Sequence, residues 1–367
     1  MPLHFVPLAE QHLTAVRAFN QRMREGGAAT DFLLPEDLSK NSSDAGAPIQ
    51  QNQFIAVDEG QVRGGVIEMN QPGWLNGHSI RAHNHQSPLS EGLIDRRNAM
   101  VAWQMIRFLE ERSDAAFGVG MGSVDHRWSQ LLRKCEWSVR PVPFLFRVHR
   151  AGAFWRELPM LHSTGTRDLF ARVAAVTGIG ALALAIPQLR KTRMNGSIQQ
   201  QDSWGDWADR IWERVRDQCS FAVQRNREVL DMLYPTDDPR LMILLIEKGG
   251  EPVGWAVCME ARLKNERFFG NLRVFAILDC VALPGSMAVT AALADRELAL
   301  SGADLVFVNH SHAAWVRAFR AAGFLTARSN YMLAMSKTLT EAIHAQPGGD
   351  ESIHITRGDG DGRCNLG

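Results

Sequence analysis

Histidine residues form two groups that could carry chemistry. His83 and His85 alternate, so both could lie on one face of a strand and bind a metal ion, while His310 and His312 flank a serine. Imidazole changes its charge near neutral pH, so it can act as a general acid, a general base or a metal ligand. Because no convincing third and fourth ligands accompany His83 and His85, no metal is expected. A loop or helix-capping role is the main alternative for His310 and His312.

Two further motifs are incomplete. Ser123, Asp125 and His126 have the residue types of a hydrolase triad, but neighbours in sequence rarely converge in that geometry, and the sequence has no Gly-x-Ser-x-Gly elbow. Asp359-Gly360-Asp361-Gly362 resembles the start of a calcium loop, but it lacks the remaining oxygen ligands and the closing glutamate. The sequence therefore predicts neither a hydrolase nor a calcium site.

The elements that must position these residues follow a pattern that occurs twice. An apolar run enters a turn at Asp58–Gly64 and a second run leaves it, and the same arrangement recurs around Glu247–Gly254. Further along, the spacing of Trp128 and Trp137 is repeated by Trp315 and Phe324. Two matched anchors indicate a duplicated domain.

Hydrophobic periodicity predicts the same order of elements in both halves. In the first half we predict strands and helices at Leu3–Leu8, Gln11–Arg24, the hairpin around Asp58–Gly64, Ile80–Asn84, Asn98–Glu111, Ala115–Met121, Arg127–Cys135 and Val142–His149. In the second half we predict them at Trp207–Leu233, Leu241–Ile246, Val253–Leu263, Arg273–Leu283, Met287–Leu300, Asp304–Asn309, Ala313–Ala322 and Ser329–Ser336. The predicted division is a first domain at 1–150, a helical connection at 151–205, a second domain at 206–340 and a flexible tail at 341–367.

Length and composition agree with two soluble domains. The chain has 367 residues, 45% of them hydrophobic and 22% charged, and its net charge is zero. A zero net charge argues against binding nucleic acid through a broad basic face. The five cysteines form no Cys-x-x-Cys pair, and the N-terminus lacks the layout of a signal peptide, so a cytoplasmic protein with reduced thiols is predicted.

One apolar segment qualifies that prediction. Residues 173–189 are apolar apart from Thr177 and Gln188, and basic residues flank them. The segment is shorter than the roughly 20 residues of a spanning helix and contains two glycines and a proline. A helix buried between domains is the main interpretation, and a peripheral membrane contact through 173–189 is the alternative.

The order of elements resembles that of the GNAT superfamily of acyl-CoA-dependent N-acetyltransferases. The run 306–324, with Val306-Phe307-Val308-Asn309 and the final Gly323-Phe324, is similar to that family's closing strand–helix–Gly-Phe unit. The first half contains 117–122, 131–137 and 142–146, which together with 88–92 are similar to tandem GNAT-like acyltransferases among bacterial exopolysaccharide proteins. The resemblance covers about residues 1–340. It implies an α/β (α+β) fold of two tandem GNAT-like domains, each with a mixed, mostly antiparallel central sheet flanked by helices.

The resemblance also implies where acetyl-CoA or another acyl-CoA would bind. In that family a glycine-rich loop after the fourth strand holds the CoA pyrophosphate with backbone N–H groups at a helix N-terminus. The second half has small residues there, whereas Glu91 and Asp95 of the first half would repel the pyrophosphate unless Arg96 and Arg97 compensate. The prediction therefore places CoA on the second half, at Val281, Leu283, Gly285, Ser286, Met287, Ala288 and Asn309.

Candidate catalytic residues follow from the same resemblance. Asp279 and Glu260 lie where the family has general bases, and His310 lies near the expected meeting point of acceptor and pantetheine. The family's usual acid, a tyrosine, is replaced by Phe319, which leaves Tyr331 as the other hydroxyl candidate. Structural roles are the alternatives: a solvated strand end for Glu260, a buried ion pair for Asp279 and core packing for Tyr331.

The functional hypothesis is therefore acyl transfer from acyl-CoA, or an acyl carrier, to an amine or hydroxyl, with a sugar or polysaccharide precursor as one acceptor. A Fem-type aminoacyl transferase is a second hypothesis, but the zero net charge and the lack of a long helical-hairpin insertion weigh against it. A non-catalytic ligand-binding or interaction protein is the third, because the phosphate loop and Phe319 depart from the family pattern.

Overall fold

Two sheets organise the chain in this computed structural model, which describes residues 3–28, 33–38, 46–157, 195–264 and 270–360. Unit 1 comprises Met1–Arg140 with Met332–Ala345, and unit 2 comprises Pro141–Tyr331 with Gln346–Gly367. Among the described residues the helices are α1 (Leu13–Glu25), α2 (Met100–Arg112), α3 (Arg127–Lys134), α4 (Ala151–Glu157), α5 (Asp206–Val215), α6 (Arg227–Leu233), α7 (Met287–Leu300), α8 (Ala313–Ala321) and α9 (Lys337–His344).

The strands of the first half are β1 (His4–Pro7), β2 (Gln50–Asp58), β3 (Gln61–Leu75), β4 (His78–Ser90), β5 (Ala116–Met121), β6 (Ser138–Pro141) and β7 (Phe144–Val148). Those that follow are β8 (Ser197–Gln201), β9 (Phe221–Val223), β10 (Leu241–Lys248), β11 (Glu251–Arg262), β12 (Arg273–Ala282), β13 (Leu305–Asn309), β14 (Leu325–Ala327), β15 (Tyr331–Met335) and β16 (Ile353–His354). The two central sheets and their helices confirm the predicted fold class.

The sheet of unit 1 has the order β1-β2-β3-β4-β5-β15-β6, and that of unit 2 has the order β14-β7-β13-β12-β11-β10-β8. In each sheet the middle pair is parallel: β4 with β5, and β12 with β13. Apolar side chains of α1, including Val16, Phe19 and Met23, pack against Ile55 and Leu89 in the core of unit 1. The helices thus cover the apolar faces that strand alternation creates.

Two strands are exchanged relative to the sequence-based prediction. The predicted closing strand of the first half is present as β7, but it pairs antiparallel with β13 in the sheet of unit 2. The predicted closing strand of the second half, β15, lies between β5 and β6 in unit 1. Both strands are mostly apolar, β15 is buried throughout and β7 is buried at Leu145 and Phe146, so their side-chain patterns predict strands without selecting the sheet that each one joins.

The helix predicted over Trp207–Leu233 is interrupted. It begins as α5, ends at Val215, and resumes as α6 after the strand β9. Phe221, Ala222 and Val223 are fully buried and pair in parallel with β16. A short buried apolar run fits a strand as well as a helix, which is why periodicity did not find the break.

The region predicted to be a flexible tail contains ordered elements as far as residue 360. After α9, Ile353 and Ile355 are fully buried, and Thr356 and Asp359 cap a short 3-10 turn at Arg357–Asp359. Burial of two isoleucines contributes about 1.5–3 kcal/mol each relative to exposed side chains, which offsets the cost of ordering this segment.

The structure describes only part of the predicted helical connection at 151–205. Ser197–Gln201, near the end of the predicted helical connection, forms the edge strand β8, which pairs antiparallel with β10. The apolar segment 173–189 lies outside the described residues. No helix in the part of the chain that the structure describes is long and apolar enough to cross a membrane.

Candidate active site

The parallel ladder between β4 and β5 in unit 1 is short, and the region beyond its last pair is called the gap of unit 1 here. Their parallel ladder consists of His83 with Ala116 and Asn84 with Phe117, and it ends there in the described part of both strands. The register of β4 against β3 also shifts between Gly65 and Ile67. A strand that bends away from its neighbour leaves backbone N–H and C=O groups directed into the gap, where a ligand can use them.

Glycines line the β5 side of this gap. Gly118 and Gly120 alternate along β5 and share one face, Gly122 follows the end of the strand, and all three are half-buried. A Cβ atom on Gly118 would lie 2.9 Å from the carbonyl oxygen of His85, whereas no atom of the described residues lies within 4 Å of the Cβ position of Gly122. Space for an extended ligand is therefore shown at Gly122, whereas Gly118 packs closely against the backbone of β4.

The two carboxylates in the loop that follows β4 are paired with arginines, whereas the sequence-based prediction expected them to repel a pyrophosphate. Glu91 binds Arg22 at 2.6 Å and Arg63 at 2.8 Å, and Asp95 binds Arg97 at 2.8 Å. Burial alone would raise the pKa of Glu91, but the hydrogen bonds from Arg22 and Arg63 outweigh it and lower the pKa below its ordinary value. Both carboxylates are thus paired with arginines, which removes the predicted objection to a pyrophosphate at this loop.

Unit 2 has the same divergence. Val274–Ile277 of β12 pair in parallel with Leu305–Val308 of β13. The register of β12 against β11 shifts between Val257 and Cys258 of β11. Beyond those pairs the two strands separate, as β4 and β5 do in unit 1.

The chain's own segment 353–359 fills the gap of unit 2. Thr356 forms a β-bridge with His310, and the backbone N–H of Ser311 donates to the carbonyl oxygen of Ile355 at 2.9 Å. On the other side, the same segment reaches Asp279 of β12 through Arg225 and Asp359. The segment therefore contacts the ends of both diverging strands.

A fully buried ion cluster holds this segment in place. Arg225 binds Asp279 at 2.7 Å and Asp359 at 2.7 Å, and the hydroxyl of Tyr234 donates to Asp279 at 3.1 Å. Burial opposes the charge of Arg225, but the two carboxylates outweigh burial and raise its pKa. Burial raises the pKa of Asp359. Asp279 is 0% exposed and has these partners inside the protein, which fits the buried ion pair given as its structural alternative, and its role as a general base stays a prediction.

Two other predicted site residues contact Arg357 of the same segment. The amide oxygen of Asn309 accepts a hydrogen bond from the side chain of Arg357 at 3.1 Å. The hydroxyl of Tyr331 donates to the backbone carbonyl oxygen of Arg357 at 3.0 Å. The guanidinium also lies 5.1 Å from the ring centroid of Phe307. Asn309, predicted to bind CoA, and Tyr331, predicted as an acid, are both occupied within the protein.

The histidines after β13 serve as structural residues in this arrangement. The ring of His310 stacks on Trp315 at 5.5 Å and lies 4.7 Å from that of His354. Burial lowers the pKa of His310 well below its ordinary value, so the ring is neutral. His312 accepts a hydrogen bond from the N–H of Ala314 and caps α8, which agrees with the helix-capping alternative.

Glu260 lies away from this cluster, near the end of β11. It binds Arg273 at 2.8 Å and Arg262 at 2.5 Å, and its side chain is 25% exposed. The hydrogen bond from Arg273 is the main cause that lowers the pKa of Glu260. The geometry fits an ion-paired strand end better than a general base.

The predicted CoA loop of unit 2 is a turn between β12 and α7. Gly285 is exposed with a φ of +78°, a conformation that favours glycine. Val281, Leu283 and Ser286 are buried, whereas Met287 and Ala288 begin the helix. The turn and helix are present as predicted, but the gap beside them contains the segment 353–359.

Sequence reasoning missed two groups of polar residues. It did not identify Arg225 or Asp359 as partners of Asp279, and it did not connect Glu68 with His83 and His85, which surround it in unit 1. An arginine shortly after the apolar run Phe221–Val223 was the local signal for the first group. For the second group, the signal was a glutamate within the otherwise apolar run Val66–Met69.

Comparison with known proteins supports the fold. No protein-family model matches the sequence, and no curated protein matches it. The structure is similar to a GCN5-related N-acetyltransferase from Anabaena variabilis, with a TM-score of 0.53 and 10% identity over 90% of this chain and 72% of the other. It is also similar to N-myristoyltransferase from Saccharomyces cerevisiae, solved with bound myristoyl-CoA, with a TM-score of 0.51 and 9% identity over 91% of this chain and 83% of the other.

A third similar structure is a probable N-acyltransferase from Enterococcus faecalis, with a TM-score of 0.51 and 10% identity over 93% of this chain and 74% of that one. The chain therefore has a GNAT-type fold. This result confirms the fold implied by the sequence resemblance.

Proposed function

We propose that this protein transfers an acyl group from acyl-CoA to an amine or hydroxyl acceptor, and that the donor binds in the gap between β4 and β5 of unit 1. The observation that carries the proposal is the contrast between the two gaps. The walls of the unit 1 gap are half-buried glycines, whereas the segment 353–359 fills the gap of unit 2. This assignment reverses the sequence-based prediction, which placed the donor on the second half.

The chemistry that this gap supports is positioning and carbonyl polarisation. Beyond Asn84, β4 has no further ladder pair with β5 among the described residues, so its backbone groups there could hold an extended pantetheine arm and polarise its thioester carbonyl. The loop 90–99, with its carboxylates paired to arginines, would lie near the pyrophosphate. A sugar or polysaccharide precursor remains the acceptor class that we propose from the sequence resemblance.

Calorimetry with acetyl-CoA and longer acyl-CoAs tests the donor site, using two matched glycine variants. Gly122→Val should weaken binding at least about tenfold, roughly 1.4 kcal/mol, because its side chain would project into space that the donor occupies. Gly285→Val in unit 2 should leave the affinity unchanged. At both positions a Cβ atom would have no neighbour within 4 Å among the described residues, but the φ of +78° at Gly285 strains a valine there, so circular dichroism must show that both variants fold.

Three results would count against the proposal. No binding of any CoA species would remove the acyl-CoA donor, and weaker binding only in Gly285→Val would return the donor to unit 2. Binding without release of free thiol, across a panel of amines and amino sugars, would instead favour the non-catalytic ligand-binding alternative.

A further inference from the structure

We propose that Glu68, His83 and His85 of unit 1 form a binding site for a divalent transition-metal ion such as Zn²⁺. The proposal is independent of acyl transfer, because it depends only on the arrangement of side chains on β3 and β4. It differs from the sequence-based expectation of no metal, which rested on the missing third ligand.

Strand register brings the three side chains to one face of the sheet. Glu68 lies directly opposite His85 in the antiparallel β3–β4 ladder, and His83 lies opposite Asn70. Side chains directly opposite each other share a face, and residues two apart on one strand do the same. Both histidines therefore flank the carboxylate from the neighbouring strand.

The distances between the ligand atoms suit one small cation. Oε1 of Glu68 lies 3.0 Å from Nδ1 of His83 and 3.7 Å from Nε2 of His85. One ligand atom from each residue lies within 4.8 Å of the other two. Two ligands about 2.0–2.1 Å from a tetrahedral zinc ion are about 3.3 Å apart, so small side-chain adjustments would complete the site.

The unsatisfied ring of His85 points to a missing partner. His85 is 8% exposed, and neither of its ring nitrogens has a hydrogen-bond partner among the residues that the structure describes. Buried polar groups without partners are uncommon, because they lose their hydration and gain nothing in return. A metal ion held with Glu68 and His83 would supply the partner that Nε2 lacks.

The positive charge of Arg112 opposes a cation at this site, but its position beside Glu68 is compatible with a bound metal ion. Its Nη2 lies 3.3 Å from Oε2 of Glu68, and its Nε lies 3.3 Å from Oε1. With Oε1 bound to the metal, Oε2 would remain with Arg112 as an outer partner of a ligating carboxylate, an arrangement common in metal sites. A metal-free network of Glu68, His83 and Arg112 is the competing account, but it leaves the ring of His85 without a hydrogen bond.

Two imidazoles and one carboxylate give the chemical class of the ion. This ligand set suits Zn²⁺ and other first-row divalent ions, and three protein ligands leave at least one coordination position for water or another ligand. Hard oxygen-seeking ions such as Mg²⁺ and Ca²⁺ would bind this nitrogen-rich set poorly.

Metal titration of the full chain, first stripped with a chelator, tests the proposal. Zn²⁺ should bind with one equivalent per chain by calorimetry, and Co²⁺ should produce a visible ligand-field absorption that Zn²⁺ displaces. His85→Phe, which keeps the apolar volume of the ring, should lower the affinity at least about tenfold. The matched controls are His78→Asn and His126→Asn, at exposed histidines of the same unit, and both should bind as the unmodified chain does.

Two outcomes would overturn the site: no stoichiometric binding, or an unchanged affinity in His85→Phe. If circular dichroism shows that His85→Phe does not fold, His83→Gln replaces it and should give the same loss. An unchanged affinity in His83→Gln would also reject the proposal, and loss of binding in the His78 or His126 control would assign the metal to surface histidines.

Discussion

The gaps of unit 1 and unit 2 have the same backbone geometry and different contents. In both, a parallel pair of central strands separates after a short ladder, beside a strand with a register shift. Half-buried glycines line the gap of unit 1, whereas buried side chains and the segment 353–359 fill that of unit 2. The difference teaches that one architecture can have glycines beside the separating strands in one copy and a packed segment of the chain in the other.

The energetic reason lies in the ion cluster of unit 2. Arg225 has no exposed surface, so it is stable there only because Asp279 and Asp359 compensate its charge. The segment 353–359 supplies one of those carboxylates together with two buried isoleucines. Removing the segment would take one of two carboxylate partners from Arg225 and uncover the apolar surface on which the isoleucines pack.

The largest effect is expected from Arg225→Met. It leaves Asp279 and Asp359 buried without a counter-charge, which should lower the free energy of unfolding by about 3–5 kcal/mol. Urea denaturation measures the loss. Arg227→Met, at a neighbouring arginine whose side chain is 51% exposed, is the control and should change stability by less than about 0.5 kcal/mol. Equal stability in the two variants would mean that the cluster does not hold the segment.

Ile355→Ala should have the next largest effect. The side chain is fully buried, so its truncation should cost about 2–5 kcal/mol through lost burial and a cavity. Leu300→Ala, at a leucine that is 71% exposed, should be nearly neutral. If the segment were mobile in solution, the two alanine variants would unfold at the same urea concentration.

The pH dependence of unit 2 gives a third test. Burial, with a smaller contribution from Arg317, lowers the pKa of His312 to about 4 from an ordinary value of 6.5. The folded state therefore binds fewer protons than the unfolded state between these values, so stability should fall as the pH decreases from 6.5 towards 4. Each such histidine contributes a slope of up to about 1.4 kcal/mol per pH unit.

His312→Asn isolates this contribution, because asparagine can also cap α8. The variant should reduce the slope of stability against pH by up to about 1.4 kcal/mol per pH unit, which corresponds to one proton. Its free energy of unfolding near neutral pH should stay within about 1 kcal/mol of that of the original protein. Urea denaturation across the acid range measures both quantities. An unchanged slope would show that His312 titrates normally in the folded protein.

The smallest effects are expected at the glycines that distinguish the two gaps. Gly285→Ala should destabilise the protein by about 1–2 kcal/mol, because its φ of +78° is unfavourable for a residue with a side chain. Gly122→Ala has no such strain and an open Cβ position, so it should be neutral or stabilising by about 0.4–1 kcal/mol. Thermal unfolding compares the two, and a strongly destabilised Gly122→Ala would mean that its backbone conformation requires glycine.

Local patterns in the sequence predicted most of the fold. Helices α1 and α2, both long hairpins and the buried strands β5 and β13 lie close to where periodicity placed them. The exchange of β7 and β15 was not predictable in this way, because apolar alternation specifies burial and not the partner strand. The interruption of the helix at Phe221–Val223 was missed because its strand partner, Ile353–His354, is remote in sequence.

The candidate site was predicted less well, for a related reason. Asp279 was recognised as a notable carboxylate, but its role depends on Arg225 and Asp359, which lie far from it along the chain. Glu91 was read as a repulsive charge because its partners Arg22 and Arg63 are equally remote. Net charge at a site is a property of tertiary contacts, and the local sequence does not contain it.

Amide hydrogen exchange with and without acyl-CoA tests the central claim most directly. The account predicts new protection in residues 84–92 and 116–122 of unit 1 when acyl-CoA is added, with no change in 279–288 and 309–312 of unit 2. Protection confined to the unit 2 residues, accompanied by faster exchange in 353–359, would contradict the account and show that the donor displaces the segment.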